Sequence, residues 1–140
     1  MQIRMASHED YDWLRQHDRH VSDGELHRVI ETRRVLIAQT ENQRVGWLRW
    51  GLFWDNTPFM NMLYLLEGWR GQGTGAKLAE HWERLMALQG FDSVLTSTQS
   101  NEDAQHFYRR LGYRDAGSLI LPGEPMEIIF RKELAANKDD

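Results

Sequence analysis

Seven consecutive residues, Arg70-Gly71-Gln72-Gly73-Thr74-Gly75-Ala76, have the residue types and spacing for anion binding. Glycine lets the backbone reach positive φ and approach a ligand without a Cβ clash. The short apolar run NMLYLL precedes them, and KLAEHWERLMALQ follows with apolar residues at helical spacing. The glycines therefore occupy a turn from strand to helix. Free N–H groups at a helix N-terminus, helped by the helix dipole, bind oxyanions. Arg70 adds positive charge at the loop mouth.

Several patterns can be set against this loop. A Walker loop fails, because Lys77 follows Ala76 and precedes Leu78. A dinucleotide fingerprint is satisfied by Gly71, Gly73 and Ala76. Its ribose-binding acid is missing, since the next strand ends in Thr96-Ser97-Thr98. A plain glycine turn that packs helix on strand is the bland alternative. The last pattern, [QR]-x-x-G-x-[GA], fits Arg70 to Gly75. A second segment, Asn101-x-x-Ala104-x-x-Phe107-Tyr108-x-x-x-Gly112-Tyr113, follows one strand and one helix later. The two motifs, in this order, resemble the pyrophosphate loop and the second cofactor-contacting segment of the GNAT superfamily of N-acetyltransferases.

The resemblance implies acetyl-CoA as acyl donor and a set of roles. Arg70, Gly71, Gln72, Gly73, Thr74, Gly75 and Ala76 would cradle the pyrophosphate through main-chain N–H groups. Leu63 and Leu65 would lie on the strand that pairs with pantetheine amides, and the amide of Leu65 or Leu66 would donate to the oxyanion. Asn101 would hold the pantetheine arm; by position alone it could equally be a helix N-cap. Tyr108 would be the general acid for the leaving thiolate, the alternative being a core aromatic on its helical stripe. The general base is open. The strand FMNMLYLL carries no carboxylate, which leaves Asp55, Glu127 or a water relay. Asp55 also reads as a turn residue in Asp-Asn-Thr-Pro and Glu127 as a solvated strand residue. Glu67 is a loop residue and His106 a surface histidine. Trp47, Trp50, Phe53 and Trp54 gather on one strand, either as core with one homodimer face, or with Trp54 and Asp55 beside a cationic amine acceptor.

These residues need elements to hold them. QIRMA reads as a strand, Ser7-x-x-Asp10 as a helix start, and Ser22-Asp23-Gly24-Glu25 as the start of a second helix. VLIAQT and VGWLRWGLFW form a hairpin about Glu41-Asn42-Gln43-Arg44, and FMNMLYLL resumes after Asp55-Asn56-Thr57-Pro58. Ala79, Trp82 and Met86 mark one stripe of the helix after the loop, stopped by Gly90. SVLTST is a strand. Ala104, Phe107, Tyr108 and Leu111 make an amphipathic helix capped by Gly112, and YRDAGSLIL and MEIIFRKEL close the chain. The order β-α-α-β-β-β-α-β-α-β-β is that of a mixed α/β domain with an antiparallel start and at least one parallel crossover. It resembles the GNAT fold, a mixed sheet with helices on both faces, in one domain over residues 1–134 with a loose tail at 135–140.

The 140 residues suffice for one core. A net charge of −4 argues against nucleic acid or an anionic membrane as partner. No run approaches the ~20 apolar residues of a membrane helix, and no secretory signal is visible. The absence of cysteine excludes disulfides, thiolate metal sites and a thiol nucleophile, and fits a cytoplasmic protein. No His, Asp or Glu cluster has metal-ligand spacing. The expected activity is direct acetyl transfer from acetyl-CoA to a primary amine, on a small molecule or a peptide. The alternative is a non-catalytic acyl-CoA-binding sensor or scaffold.

Overall fold

A computed structural model of the chain describes residues 1–135; residues 136–140, where most of the expected tail falls, lie outside the described residues. The elements are β1 (Gln2–Met5), α1 (Tyr11–His17), α2 (Asp23–Glu31), β2 (Val35–Thr40), β3 (Gln43–Phe53), β4 (Thr57–Leu65), α3 (Thr74–Leu88), β5 (Ser93–Gln99), α4 (Ala104–Arg110), β6 (Arg114–Leu119) and β7 (Glu127–Glu133). A single 3₁₀ turn, His8–Asp10, leads into α1. The expected element order holds throughout. The seven strands follow the hydrogen-bonded order β1-β2-β3-β4-β5-β7-β6.

The chain divides into two compact units. The first comprises Met1–Gly51 and Met62–His81, the second Leu52–Asn61 and the chain from Trp82 onward.

In the first unit β1, β2 and β3 pair antiparallel, with Ile3 opposite Ala38 and Ile37 opposite Trp47. Ser22 caps α2 by accepting from the Glu25 N–H at 3.2 Å, the arrangement that its sequence start signals. Leu26, Val29 and Ile30 then fall on one helical face and join Leu14, Val35, Ile37 and Trp47 in a buried cluster. Two buried carboxylates lock the unit. Asp10 accepts from both terminal nitrogens of Arg4 at 2.8 Å, from Arg44 Nε at 2.7 Å and from the Ser7 N–H at 2.8 Å. Asp18 accepts from Trp47 Nε1 at 3.1 Å and Arg49 Nε at 2.9 Å.

In the second unit β4 and β5 pair in parallel at Phe59–Leu95 and Met60–Thr96. A parallel pair needs a crossover, and α3 supplies it. β7 pairs antiparallel with β5 on one side and β6 on the other, from Ser93 opposite Glu133 to Gln99 opposite Glu127. Met60, Trp82, Met86, Val94, Tyr108 and Phe130 are buried here.

Three local expectations differ from the structure. The Asp55–Pro58 break is a tight turn in which Trp54 (φ 56°) and Asp55 (φ 63°) are both left-handed, and β4 begins at Thr57. Pro58 stands inside the strand. The turn of the first hairpin is shorter than the sequence suggests, because Gln43 and Arg44 belong to β3. α4 starts at Ala104, with Asp103 rather than Asn101 at its N-cap.

Candidate active site

The loop after β4 has the features expected of an anion cradle. Gly71 (φ 76°) and Gly73 (φ 82°) are left-handed, and a Cβ at either would meet nothing within 4 Å. Glycine is favoured here by backbone conformation, and the space beside it is open. The N–H groups of Arg70, Gly71, Gln72 and Gly73 have no acceptor among the described residues. Those of Thr74, Gly75 and Ala76 form the first turn of α3, where no intrahelical partner exists. The first helical bond runs from the Lys77 N–H to the Gly73 carbonyl at 3.1 Å. A continuous row of unpaired donors at the N-terminus of a 15-residue helix fits a phosphate pair on its chemistry.

Arg70 is anchored rather than free. Its Nε donates to the Leu65 carbonyl at 3.1 Å, and its guanidinium lies 4.8 Å from the Tyr64 ring centre. Its position therefore depends on the end of β4. There the Leu66 N–H already donates to the Val45 carbonyl at 2.8 Å. Backbone groups alternate in direction along a strand, so the Leu65 N–H points away from β3. Of the two amides proposed for the oxyanion, only that of Leu65 is uncommitted; Leu63 shares its direction. Gly46 on β3 sits against this point. A Cβ there would lie 2.5 Å from Leu65 Cδ2 and 2.7 Å from the Tyr64 carbonyl oxygen.

In the second unit Tyr108 is only 6% exposed. Its hydroxyl donates to Met60 Sδ at 3.7 Å, and Thr96 Oγ1 donates to the Met60 carbonyl at 3.0 Å. Burial pushes the Tyr108 phenol up to about 12, against a smaller opposing effect of the nearby Thr96 hydroxyl. The hydroxyl thus keeps its proton across the neutral range. Asn101 is exposed and caps nothing, which leaves its side chain available to a ligand.

The other candidates are dispersed. Trp54 is 78% exposed at the β3–β4 turn, against Phe53 at 4.6 Å. Trp47 and Trp50 are core residues. Asp55 is an exposed turn residue. Glu127 is not a solvated edge residue, because it accepts from Ser97 Oγ at 2.7 Å. His106 is exposed. Among the described residues no group of three His, Cys, Asp or Glu could hold a metal, and no helix is long and apolar enough to cross a membrane.

The sequence motifs assign no role to Glu83. It is buried on α3 and accepts from the Tyr113 hydroxyl at 2.9 Å and from Lys132 Nζ at 2.7 Å. A signal for it exists: Ala79, Trp82, Glu83 and Met86 fall at i, i+3, i+4 and i+7, so a carboxylate stands on the buried stripe and needs partners.

Comparison with known proteins agrees with the fold. A model of the acetyltransferase (GNAT) family matches residues 2–113. The protein is thus an acyltransferase by class, and this chain belongs to the GNAT acetyltransferase family. Its fold is similar to that of a GNAT-family acetyltransferase from Bacillus cereus, at 23% identity and TM-score 0.78 over 96% of this chain and 97% of that one. It is also similar to a ribosomal-protein-alanine N-acetyltransferase from Brucella melitensis, at 20% identity and TM-score 0.81 over 96% and 100% of the two chains. An aminoglycoside 6′-N-acetyltransferase complexed with coenzyme A matches at 17% identity and TM-score 0.79 over 99% and 100%. A sequence search of curated proteins finds no match.

Proposed function

We propose that this protein transfers an acetyl group from acetyl-CoA directly to a primary amine. One observation carries the reading: the row of unpaired N–H groups from Arg70 to Ala76, opening on free space at Gly71 and Gly73. Those groups hold the pyrophosphate of the donor. Leu63 and Leu65 offer outward backbone groups to its pantetheine arm, and Asn101 an exposed amide. The neutral amine attacks the thioester carbonyl, forming the C–N bond, and the Leu65 N–H stabilises the oxyanion. Collapse breaks the C–S bond; the nitrogen loses its proton to solvent.

We assign Tyr108 to the departing sulfur from its place in the second sequence motif. A phenol near 12 is a weak acid beside a thiol of about 8.5, so full proton transfer from it is uphill by roughly 3–4 pK units. Its first service is therefore a hydrogen bond to the thiolate, with solvent supplying the proton in the end. Without cysteine no thioester intermediate on the enzyme is available, which supports direct transfer. Asp10, Asp18 and Glu83 are all paired with cations, so none is a free base. This favours deprotonation of the amine by water, and it is also the observation that supports the alternative of a non-catalytic acyl-CoA-binding module.

Calorimetry with acetyl-CoA and with NAD tests the donor; heat with NAD alone would refute the reading of the loop. Thiol release with an alanyl peptide, an aminoglycoside and a polyamine then tests transfer. Tight acetyl-CoA binding without thiol release on any of them would favour the binding module.

A further inference from the structure

Tyr108 and Tyr113 are joined by the way α4 ends. Gly112 is left-handed at φ 96°. The Tyr113 N–H donates to the Tyr108 carbonyl and the Gly112 N–H to the Arg109 carbonyl, each at 3.0 Å. This is a Schellman motif, whose two outermost residues characteristically touch. Here they are the two tyrosines, with ring centres 5.5 Å apart and planes at 70°. Phe130 lies 6.1 Å from Tyr108 and Phe107 lies 5.2 Å from it. The far end of Tyr113 is fixed as well: its hydroxyl donates to Glu83 Oε2, while Lys132 Nζ holds Oε1 of the same carboxylate. Tyr113 is 2% exposed, and burial, then the Glu83 charge, push its phenol far up. That hydroxyl is a permanent donor to Glu83.

We propose that Tyr113 is a positioning residue: bolted to Glu83 and Lys132 at one end and to the end of α4 at the other, it fixes the ring of Tyr108 so that its hydroxyl faces the leaving sulfur. The inference rests on the proposed role of Tyr108. A ring carried on a seven-residue helix can swing about χ1 unless something stops its edge. The Met60 thioether is too weak an acceptor to do so. Phe107, Phe130 and Tyr113 bound the ring, and Tyr113 is the one whose far end is itself tied, to Glu83. Its phenol gains little from burial that a phenylalanine would not, apart from this anchor.

Tyr113→Phe removes the anchor and leaves Glu83 paired with Lys132. The experiment is a double-mutant cycle with Tyr108→Phe, read by single-turnover acetyl transfer from acetyl-CoA to whichever of the alanyl peptide, the aminoglycoside or the polyamine is turned over. Tyr113→Phe should slow transfer about five- to tenfold, a fraction of the loss of up to ~10² expected on removing the Tyr108 hydroxyl, with acetyl-CoA affinity unchanged. In the Tyr108→Phe background it should slow transfer no further. Equal losses in both backgrounds would show Tyr113 acting through the fold at large and overturn the inference. So would a full rate in Tyr113→Phe beside a slow Tyr108→Phe. If Tyr108→Phe itself runs at the parent rate, the reading of Tyr108 fails and takes this inference with it. Glu83→Gln keeps an acceptor for the Tyr113 hydroxyl and should retain most of the activity; a loss as large as that of Tyr113→Phe would count against the anchor.

Discussion

Replacing Gly73 by valine separates two costs that the structure keeps distinct. The first is conformational. At φ 82° a residue with a Cβ loses roughly 1–2 kcal/mol, more for a branched side chain. No neighbour lies within 4 Å of the new Cβ, so no protein clash is added. The second cost falls on the ligand. The branched side chain occupies the open space in front of the loop and turns its N–H groups aside. Losing one or two bonds to a charged oxygen, at about 1.5–3 kcal/mol each, raises the dissociation constant for acetyl-CoA by at least ~10-fold. Gly90→Val is the control. Gly90 lies just past the other end of α3, also left-handed (φ 96°) and also open, so it carries the conformational cost alone. Both variants should melt a few degrees below the parent. Only Gly73→Val should bind acetyl-CoA weakly by calorimetry. A folded Gly73→Val with parental affinity, or an equal loss in Gly90→Val, would refute the cradle.

Tyr108→Phe should leave stability and acetyl-CoA affinity nearly unchanged, since only a weak bond to a thioether is lost, while single-turnover transfer falls up to ~10². With the phenol pushed up to about 12, loss of its proton should not lower the parent rate anywhere near neutral pH. Gly46→Ala forces β4 away from β3, because one of the atoms met is the Tyr64 carbonyl oxygen. Urea denaturation should show a loss of about 1–3 kcal/mol, with a fall in kcat as the Leu65 amide moves. Burial raises the Asp10 carboxyl, but the bonds from Arg4, Ser7 and Arg44 outweigh it and hold it well below the usual carboxylate range. A depressed folded value contributes stability above the ordinary pKa near 4 and loses it as pH falls further. Asp10→Asn should therefore cost about 2–3 kcal/mol at pH 7, and the gap from the parent, followed by urea denaturation across pH, should close progressively below pH ~4.

Local sequence makes much of this architecture legible, and its failures have a common cause. α3 announces itself through Ala79, Trp82 and Met86, and the strand–glycine–helix context is enough to locate the left-handed glycine loop between β4 and α3. Turns are harder. Glu41 and Trp54 are left-handed without being glycine, asparagine or aspartate, so the usual turn chemistry is absent at those two positions. Asn101 has the residue type of an N-cap, but α4 begins three residues later. The buried carboxylates are the least legible. Asp10 depends on Arg44, Asp18 on Arg49 and Glu83 on Lys132. These pairs are far apart in the chain, and only folding brings them together. The same holds for the Leu66 amide, which the Val45 carbonyl engages from a neighbouring strand.

As proposed, the row of donors from Arg70 to Ala76 would read oxygen and charge, and nothing else about the molecule that carries them. Spent coenzyme A has the same pyrophosphate as the loaded donor, so the grip that recruits one also retains the other. An enzyme holding its donor by this end faces a tension between capture and turnover. Every hydrogen bond added to the loop would shorten the search for acetyl-CoA and lengthen the wait for the empty carrier to leave. The anchoring of Arg70 to Leu65 and Tyr64, with its guanidinium already engaged, moderates that grip. On the proposed reading it would leave the backbone to do most of the holding and keep the loop from becoming a trap for its own product.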